Sequence, residues 1–269
     1  MEKLVRTSRK NNSLLCVGLD TDPALMPEGI GVYEFNRAII DATAEFVCAY
    51  KPNIAFYEAL GNDGLDTLKR TRDYIPEDIP VIIDAKRGDI GNTAKAYSRS
   101  LFEYFNFDAA TVSPYLGLDS LEPFIQHGDR GVIVLCRTSN AGAVDFQSLR
   151  CETDDGHKLL YEVVAAKVAE WNTDGNLGLV LGATYPEELK LIRQRYPDML
   201  LLIPGIGAQG GDLQQVVSYG VDADRQKTII NSSRQVLYAS RDKDYARVAG
   251  QAARELRDEI NRYLSTSAA

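Results

Sequence analysis

Two carboxylates flank one ammonium group in the stretch Asp-Ala-Lys-Arg-Gly-Asp at residues 84–89, directly after the apolar run 81–83. Asp84 and Asp89 favour the charged form of Lys86, so this lysine can donate a proton and stabilise negative charge. A surface salt bridge is the commoner role of such a triplet. The position after a buried strand, with Gly88 and Gly91 loosening the turn, favours a catalytic role.

A second candidate site combines a glycine-rich loop with an arginine. The seventh apolar run is followed by Gly205, Gly207, Gly210 and Gly211, which allow a ligand to approach the backbone closely, and a helix start after 211–212 offers unpaired N–H groups. Arg234, after the eighth run, adds a planar guanidinium that fits a phosphate. Phosphate sites after strands seven and eight recur in α/β barrels, so we expect a phosphate to bind here.

Isolated polar residues at other strand ends are weaker candidates. Asp20 follows the first apolar run, Lys51 lies in the second, and Ser139 follows the fifth. Asp20 could instead cap the next segment, Lys51 could be a solvated edge residue, and Ser139 could only stabilise a loop. The residues by themselves leave these alternatives open.

The elements that must position these side chains are strands and helices in alternation. Short runs rich in β-branched residues predict strands, and longer amphipathic stretches predict helices. Eight strand-like runs cover residues 14–19, 49–56, 81–83, 109–112, 131–135, 177–181, 199–203 and 228–231. Helical patterns cover 33–47, 65–74, 92–105, 159–171, 186–196 and 242–264, and the polar stretch 140–156 predicts a long loop after the fifth strand.

Continuous apolar strands that alternate with helices predict a parallel sheet covered by helices. Eight such units point to a closed α/β barrel, a (β/α)₈ TIM barrel, which commonly reaches about 250 residues as one domain. An open doubly wound sheet would usually carry a glycine-rich turn directly after its first strand, where this chain has Gly18-Leu19-Asp20. We therefore expect one domain over residues 1–269.

The composition restricts the classes of function. The net charge of −8 argues against a nucleic-acid binder and requires a phosphate to be held by local groups. Cys16, Cys48, Cys136 and Cys151 lie far apart and His127 and His157 are the two histidines, so neither a disulfide framework nor a metal site is expected. The N-terminus lacks the apolar core of a signal peptide and no apolar run approaches membrane-spanning length, so a cytoplasmic location is the default expectation.

With these motifs assembled, the sequence resembles the orotidine 5′-phosphate decarboxylase family, and especially its bacterial type 2 subfamily. The likeness covers nearly the whole chain: VGLD in the first strand, KPNIAFYE, DAKRGDIGNTA, PGIGAQGG and the final Ser-Arg strand tip. It implies decarboxylation of orotidylate to uridylate in pyrimidine biosynthesis, without a cofactor or metal. Two features depart from many relatives, namely Ser233 in place of a glycine before Arg234 and a longer loop after the fifth strand.

The resemblance also implies roles for individual residues. Lys51, Asp84, Lys86 and Asp89 would form a charged tetrad, in which Lys86 stabilises and protonates the C6 carbanion. Asp89 and Thr93 would reach across a homodimer interface into the neighbouring site. The substrate contacts would come from Asp20 and Lys51 to the ribose, Ser139 to the pyrimidine, and Gln209, Gly207 and Arg234 at the phosphate end.

Two other functions fit parts of the sequence. A metal-dependent relative that decarboxylates a keto-sugar phosphate, or condenses a pentulose phosphate with formaldehyde, shares the pattern of Asp84, Lys86 and Asp89. Such enzymes place an acidic metal ligand where this chain has Lys51, whose charge would repel Mg²⁺. A non-catalytic barrel that binds a nucleotide is the third possibility, although Lys86 between two acids would then have no use.

Overall fold

The computed structural model describes residues 2–206 and 212–266. Within them, eight parallel strands form one sheet: β1 Leu15–Leu19, β2 Ala49–Pro52, β3 Ile82–Arg87, β4 Ala109–Val112, β5 Gly131–Arg137, β8 Leu177–Leu181, β9 Leu200–Pro204 and β10 Thr228–Ser232. Their neighbour order is β2-β1-β10-β9-β8-β5-β4-β3. A separate antiparallel hairpin, β6 Arg150–Thr153 and β7 Gly156–Leu159, is inserted between β5 and β8.

The sheet closes on itself between β2 and β3. Isolated parallel bridges join Tyr50 to Val81 and Asn53 to Asp84, and the amide of Tyr50 donates to the carbonyl of Pro80 at 3.0 Å. The expected fold class, an α/β (β/α)₈ barrel, is therefore confirmed. Side chains alternate between the barrel interior and the helix-covered exterior, which explains why the predicted strands read as continuous apolar runs.

Helices cover the outside of the barrel. They are α1 Glu2–Asn11, α2 Val32–Thr43, α3 Ile54–Glu58, α4 Gly61–Tyr74, α5 Gly91–Arg99, α6 Leu118–Ile125, α7 Leu160–Trp171, α8 Pro186–Arg195, α9 Leu213–Gly220, α10 Arg234–Leu237 and α11 Tyr245–Thr266. Several begin at residues suited to that position: Asn53 and Asp212 accept hydrogen bonds from backbone amides, and Pro186 occupies the first turn of α8. No helix in these residues is long and apolar enough to span a bilayer.

The amino-terminal end of the barrel is covered by α1, a helix that the sequence patterns did not predict. Leu4 of α1 is buried and belongs to the same hydrophobic cluster as Ala109 and Ile229 of the barrel interior. The ammonium of Lys3 lies 2.8 Å from Asp108, just before β4. With this end covered, the opposite, carboxyl-terminal end of the strands is the open one.

Two predicted segments differ from the structure. The run 49–56 was expected to be one strand, but β2 ends at Pro52 and α3 follows, because Asn53 accepts from the amide of Ala55 and starts a helical turn. The stretch 140–156, expected to be a loop, contains the short 3-10 helix Ala141–Asp145 and most of the β6–β7 hairpin. Residues 49–56 read as one apolar run in which only Asn53 marks the break, and the polar hairpin has no hydrophobic period, so periodicity missed both.

Candidate active site

A cavity of about 810 Å³ lies at the carboxyl-terminal ends of the barrel strands. Five charged residues predicted from the sequence line it: Asp20, Lys51, Asp84, Lys86 and Arg234. They come from the tips of four different strands, which parallel barrel topology brings to one end. The chemistry-bearing residues that are far apart in the sequence therefore meet in one pocket.

Asp84 is the centre of the charged cluster. Its Oδ1 lies 2.6 Å from the ammonium of Lys86, and its Oδ2 lies 3.3 Å from the ammonium of Lys51. The hydroxyl of Thr111 also donates to Oδ1, at 2.8 Å. The side chains of Lys51 and Asp84 are 5% and 13% exposed, whereas that of Lys86 is 49% exposed. Lys86 is thus the member of the cluster that is open to a ligand.

Burial and neighbouring charges shift the pKa values of Asp84 and Lys51, the two buried residues of this cluster, in opposite directions. Burial disfavours the charged form of Asp84, but the ammonium groups of Lys51 and Lys86 outweigh it and hold the pKa of this carboxyl well below its usual range. Burial likewise disfavours the charged form of Lys51, but Asp20 and Asp84 outweigh it and raise the pKa of Lys51 above its usual value. At neutral pH the site therefore holds fixed charges of both signs in a partly dry environment.

The backbone at Lys86 is unusual. Its φ is 49°, a left-handed conformation that is rare for a residue other than glycine. The register between β3 and β4 shifts here, because Ile83 pairs with Ala110 but Arg87 pairs with Val112. The amide of Lys86 donates to the hydroxyl of Thr111 at 3.0 Å and secures the distorted turn. Strain held in place by the surroundings is a common feature of active sites.

Asp20 is held at the cavity wall through the backbone around it. The hydroxyl of Tyr57 donates to the carbonyl of Leu19 at 3.0 Å, and the hydroxyl of Tyr238 donates to the carbonyl of Asp20 at 3.1 Å. Oδ1 of Asp20 lies 3.9 Å from the ammonium of Lys51 and is otherwise buried without a hydrogen-bond partner among the described residues. This oxygen is available to a hydrogen donor of a ligand.

An apolar wall completes the cavity on the side of β5, β8 and β9. Leu135, Val180 and Leu202 line it, one from each strand. All three pack with the barrel interior. The cavity therefore offers an apolar surface for a flat ring beside the charged cluster.

The loop after β5 forms another part of the rim and contains Ser139, which lines the cavity. Gln147 holds the two ends of this loop together, because its Oε1 accepts from the amide of Thr138 at 2.8 Å and its Nε2 donates to the Thr138 hydroxyl at 2.9 Å. A side-chain carbon on Gly182 would lie only 2.8 Å from the amide nitrogen of Ser139. Glycine at 182 is what lets the loop approach β8.

Arg137, at the end of β5, lies outside the cavity lining. It is 2% exposed, its Nε lies 2.6 Å from Oε2 of Glu188 on α8, and its guanidinium lies 3.7 Å from the ring centre of Tyr185. Its Nη1 also donates to Gln147 at 3.4 Å. Arg137 therefore stabilises the loop through its contact with Gln147 and does not face the cavity.

The expected phosphate end lies above β9 and β10. Gly205 and Arg234 line the cavity, and Gly205 has a φ of 97°, which favours glycine. Arg234 is exposed and is the first residue of α10. Gly207 and Gln209, the two other residues expected at this end, lie outside the described residues.

Asp89 and Thr93 are not brought into the cavity of their own chain. Asp89 accepts a hydrogen bond from the amide of Ile90 at 2.8 Å, and Thr93 is exposed on the first turn of α5. Within the described residues neither lines the cavity. Of the four members of the expected tetrad, three meet in this chain.

Several cavity residues had no role predicted from the sequence, notably Thr111, Asn53, Gln147 and Asn231. Thr111 and Asn231 could have been found by strand parity, since each stands two residues after an interior apolar residue of a predicted strand. A polar residue at the last inward position of a barrel strand points to the active site. Gln147 lies in the loop after β5, where the sequence carries no such signal.

A carboxylate shared by two ammonium groups, at the open end of a (β/α)₈ barrel, is an arrangement suited to an enzyme that uses electrostatic stabilisation and proton transfer. Comparison with known proteins then identifies the family of the chain. It belongs to the orotidine 5′-phosphate decarboxylase / HUMPS family, whose model matches residues 13–249. The resemblance inferred from the motifs is thereby confirmed.

Relatives match over nearly their full length. The orotidine 5′-phosphate decarboxylase of Dehalococcoides mccartyi (strain CBDB1) is 53% identical over 263 residues, covering 98% of this chain and 97% of that protein. The one from Ralstonia pickettii (strain 12J) is 50% identical over 271 residues, covering 97% and 98%. Among solved structures, OMP decarboxylase from Leishmania donovani superimposes with a TM-score of 0.85 at 41% identity, covering 98% of both chains.

Proposed function

We propose that this chain converts orotidine 5′-phosphate to uridine 5′-phosphate and CO₂ without a cofactor. The observation that carries this function is the half-exposed ammonium of Lys86, held 2.6 Å from a carboxylate that Lys51 also contacts. Relatives that are about half identical over nearly the whole length carry this activity in their names.

In the proposed reaction the bond between C6 and the carboxylate carbon breaks, and its electron pair stays on C6 in the plane of the ring. No carbonyl group of the pyrimidine is placed to delocalise this pair as a simple enolate. The ammonium of Lys86 stabilises the developing charge and then transfers a proton to C6. The neutral amine regains a proton from solvent when product leaves. Turnover thus needs no oxidant, reductant or metal.

The other charged residues prepare this step. Asp84, which stays ionised, faces the substrate carboxylate in the proposed complex, so that losing CO₂ relieves the repulsion between them. Lys51 keeps Asp84 charged and, with Asp20, contacts the ribose. Arg234 and the backbone at Gly205 bind the phosphate, and Ser139 contacts the pyrimidine. Binding energy from these remote groups aligns the reacting carbon with Lys86.

We further propose that two copies of the chain share their active sites. Asp89 and Thr93, the expected contributions to the partner's site, follow β3 beside Ile90, and Tyr115 and Leu116 follow the adjacent strand β4; these three apolar side chains are 58%, 82% and 46% exposed. Apolar side chains exposed on neighbouring loops favour an interface. An isologous dimer would bury them and bring each Asp89 to the Lys86 of the other copy.

Mixing two inactive variants tests this sharing. Lys86→Ala and Asp89→Asn homodimers are both expected to be inactive, but after unfolding and refolding together about a quarter of the wild-type activity should return, because each mixed dimer regains one intact site. If the mixture stays as inactive as its components, the two residues act within one chain.

One domain over residues 1–269 and a cytoplasmic location belong to the same proposal. All four cysteines are free thiols in the structure, which fits a reducing compartment. The activity itself is tested by incubating the purified protein with orotidylate and following the ultraviolet change as the ring loses its carboxylate. Turnover that is undiminished after EDTA treatment is expected. Absence of turnover, or turnover of a keto-sugar phosphate that EDTA abolishes, would contradict the proposed function.

A further inference from the structure

Asn231 is a buried polar residue of the cavity that none of the proposed steps uses. It lies on β10 two residues after Ile229, whose side chain belongs to the barrel interior. Side chains two positions apart on a strand point to the same face, so Asn231 also points inward. It lines the cavity and is only 7% exposed.

The amide of Asn231 is incompletely hydrogen bonded. Its Nδ2 donates to the hydroxyl of Ser233 at 3.4 Å, which is long for such a bond. Its Oδ1 is buried and has no hydrogen-bond partner among the described residues. A buried acceptor without a donor loses its hydration without compensation. In a cavity wall, such an oxygen indicates that a bound ligand supplies the donor.

The position of Asn231 indicates which part of a ligand could donate a hydrogen bond to its Oδ1. A side-chain carbon on Gly18 would lie 2.0 Å from Oγ of Ser233 and 3.4 Å from Oδ1 of Asn231, so this oxygen lies beside Gly18 on β1. Gly18 pairs with Lys51 on β2, at the proposed ribose end. On its other side Asn231 pairs with Pro204, which precedes Gly205 at the proposed phosphate end. Asn231 therefore lies between these two ends.

In a nucleoside monophosphate the ribose is the part that adjoins the phosphate, and its hydroxyl groups are hydrogen-bond donors. We infer that Asn231 is a further substrate-binding residue, whose Oδ1 accepts a hydrogen bond from a ribose hydroxyl. A neutral amide oxygen can do so without placing another negative charge close to the phosphate. This role rests on the proposed function, since the nucleotide is the ligand assigned there.

Calorimetric binding of product analogues tests the role independently of turnover. Uridine 5′-phosphate and its 2′-deoxy and 3′-deoxy forms are titrated into the wild type and into Asn231→Leu, which removes the acceptor at similar size. The wild type should bind uridylate about tenfold more tightly than one of the two deoxy forms. In Asn231→Leu that preference should disappear, with uridylate weakened to the affinity of that deoxy form.

Thr184→Val is the matched control, because the hydroxyl of Thr184 is also buried without a partner among the described residues but does not line the cavity. It should keep the full preference. If leucine is not accommodated, Asn231→Ala gives the same readout. A preference that survives in the Asn231 variants, or that the wild type lacks for both deoxy forms, overturns the role. Failure of the proposed function would instead appear as absent turnover of orotidylate by the wild type.

Discussion

The ammonium of Lys86 lies 2.6 Å from Oδ1 of Asp84 and reaches it from a backbone with a φ of 49°. The β3–β4 register shift and the Lys86 amide bond to Thr111 hold this conformation. The short distance between the two charges is therefore built into the barrel before a ligand binds. A preorganised charge of this kind needs little rearrangement when negative charge develops on the substrate.

Thr111 is expected to position both charged groups. Its hydroxyl donates to Asp84 Oδ1 and accepts from the amide of Lys86. We expect Thr111→Val to lower kcat about ten- to a hundredfold, because a hydrogen bond to a charged group is lost, while affinity for uridylate changes little. Thr7→Val, which removes a buried hydroxyl on α1 that bonds to the carbonyl of Lys3, should leave kcat unchanged. Equal kcat values in the two variants would exclude a positioning role for Thr111.

The charge of Asp84 should stabilise the folded protein in a pH-dependent way. Its pKa is lower in the folded state than the usual value of about 3.9 that applies when unfolded. The contribution of a group with a depressed pKa is therefore present above that value and is lost as the pH falls toward the folded pKa. Urea unfolding should show the wild type more stable than Asp84→Asn by a constant margin from about pH 5 to 8, narrowing below about pH 4.

The control for this comparison is Asp154→Asn, which changes an exposed carboxylate in the hairpin turn. It should differ little from the wild type at every pH. A margin between the wild type and Asp84→Asn that stays constant down to pH values of about 3 would contradict the depressed pKa of Asp84.

The ion pair of buried Arg137 and partly buried Glu188 should contribute to stability rather than to chemistry. Removing one charge leaves the other buried without compensation, so Glu188→Gln should lower the free energy of unfolding by about 3 kcal/mol. The pair of Lys167 and Glu170 is 53% and 63% exposed, so Glu170→Gln should cost at most about 1 kcal/mol. Chemical unfolding at constant protein concentration measures the free energy of unfolding of both variants. Similar losses in the two variants would show that the Arg137 pair is not effectively buried.

Arg234 is expected to act through the phosphate of the substrate. Arg234→Ala should raise KM for orotidylate about ten- to a hundredfold, because a charge-assisted contact is lost, with a smaller effect on kcat. Orotidine, which lacks the phosphate, should be turned over equally by the variant and the wild type. The control Arg247→Ala removes an exposed arginine of α11. A KM that does not change, or an equal loss with orotidine, would count against phosphate binding by Arg234.

The fold could be predicted from the sequence because the barrel follows from hydrophobic pattern. Each barrel strand is buried on both faces, so it reads as an apolar run, and the helices show their own period. The covering helix α1 and the β6–β7 hairpin were not predictable in this way. Leu4 is the only residue of α1 in the buried interior cluster of the described residues, and the hairpin is polar and held by backbone hydrogen bonds.

In the candidate site too, the residues with a local sequence signal could be predicted, and those that depend on the tertiary structure could not. Asp84 and Lys86 were identified because they stand close together in sequence after a buried strand. That Lys51 and Asp20 join them depends on the order in which β1, β2 and β3 close the barrel, which residue types do not encode locally. Thr111 has only one signal in the sequence, its inward position two residues after Ala109, because its residue type alone does not mark it as a site residue. Asp89 and Thr93 stay predictions, since a single chain does not bring them to the cavity.

The most direct test of the central claim is the turnover of orotidylate by Lys86→Ala, measured beside its binding of uridylate. We expect the rate to fall at least about a thousandfold, since charge stabilisation and proton donation are lost together, while the variant stays folded and still binds uridylate. Lys167→Ala, which removes an exposed lysine of α7, should keep the wild-type rate. Turnover by Lys86→Ala within about tenfold of the wild type would contradict the assignment of Lys86 as the group that stabilises and protonates C6.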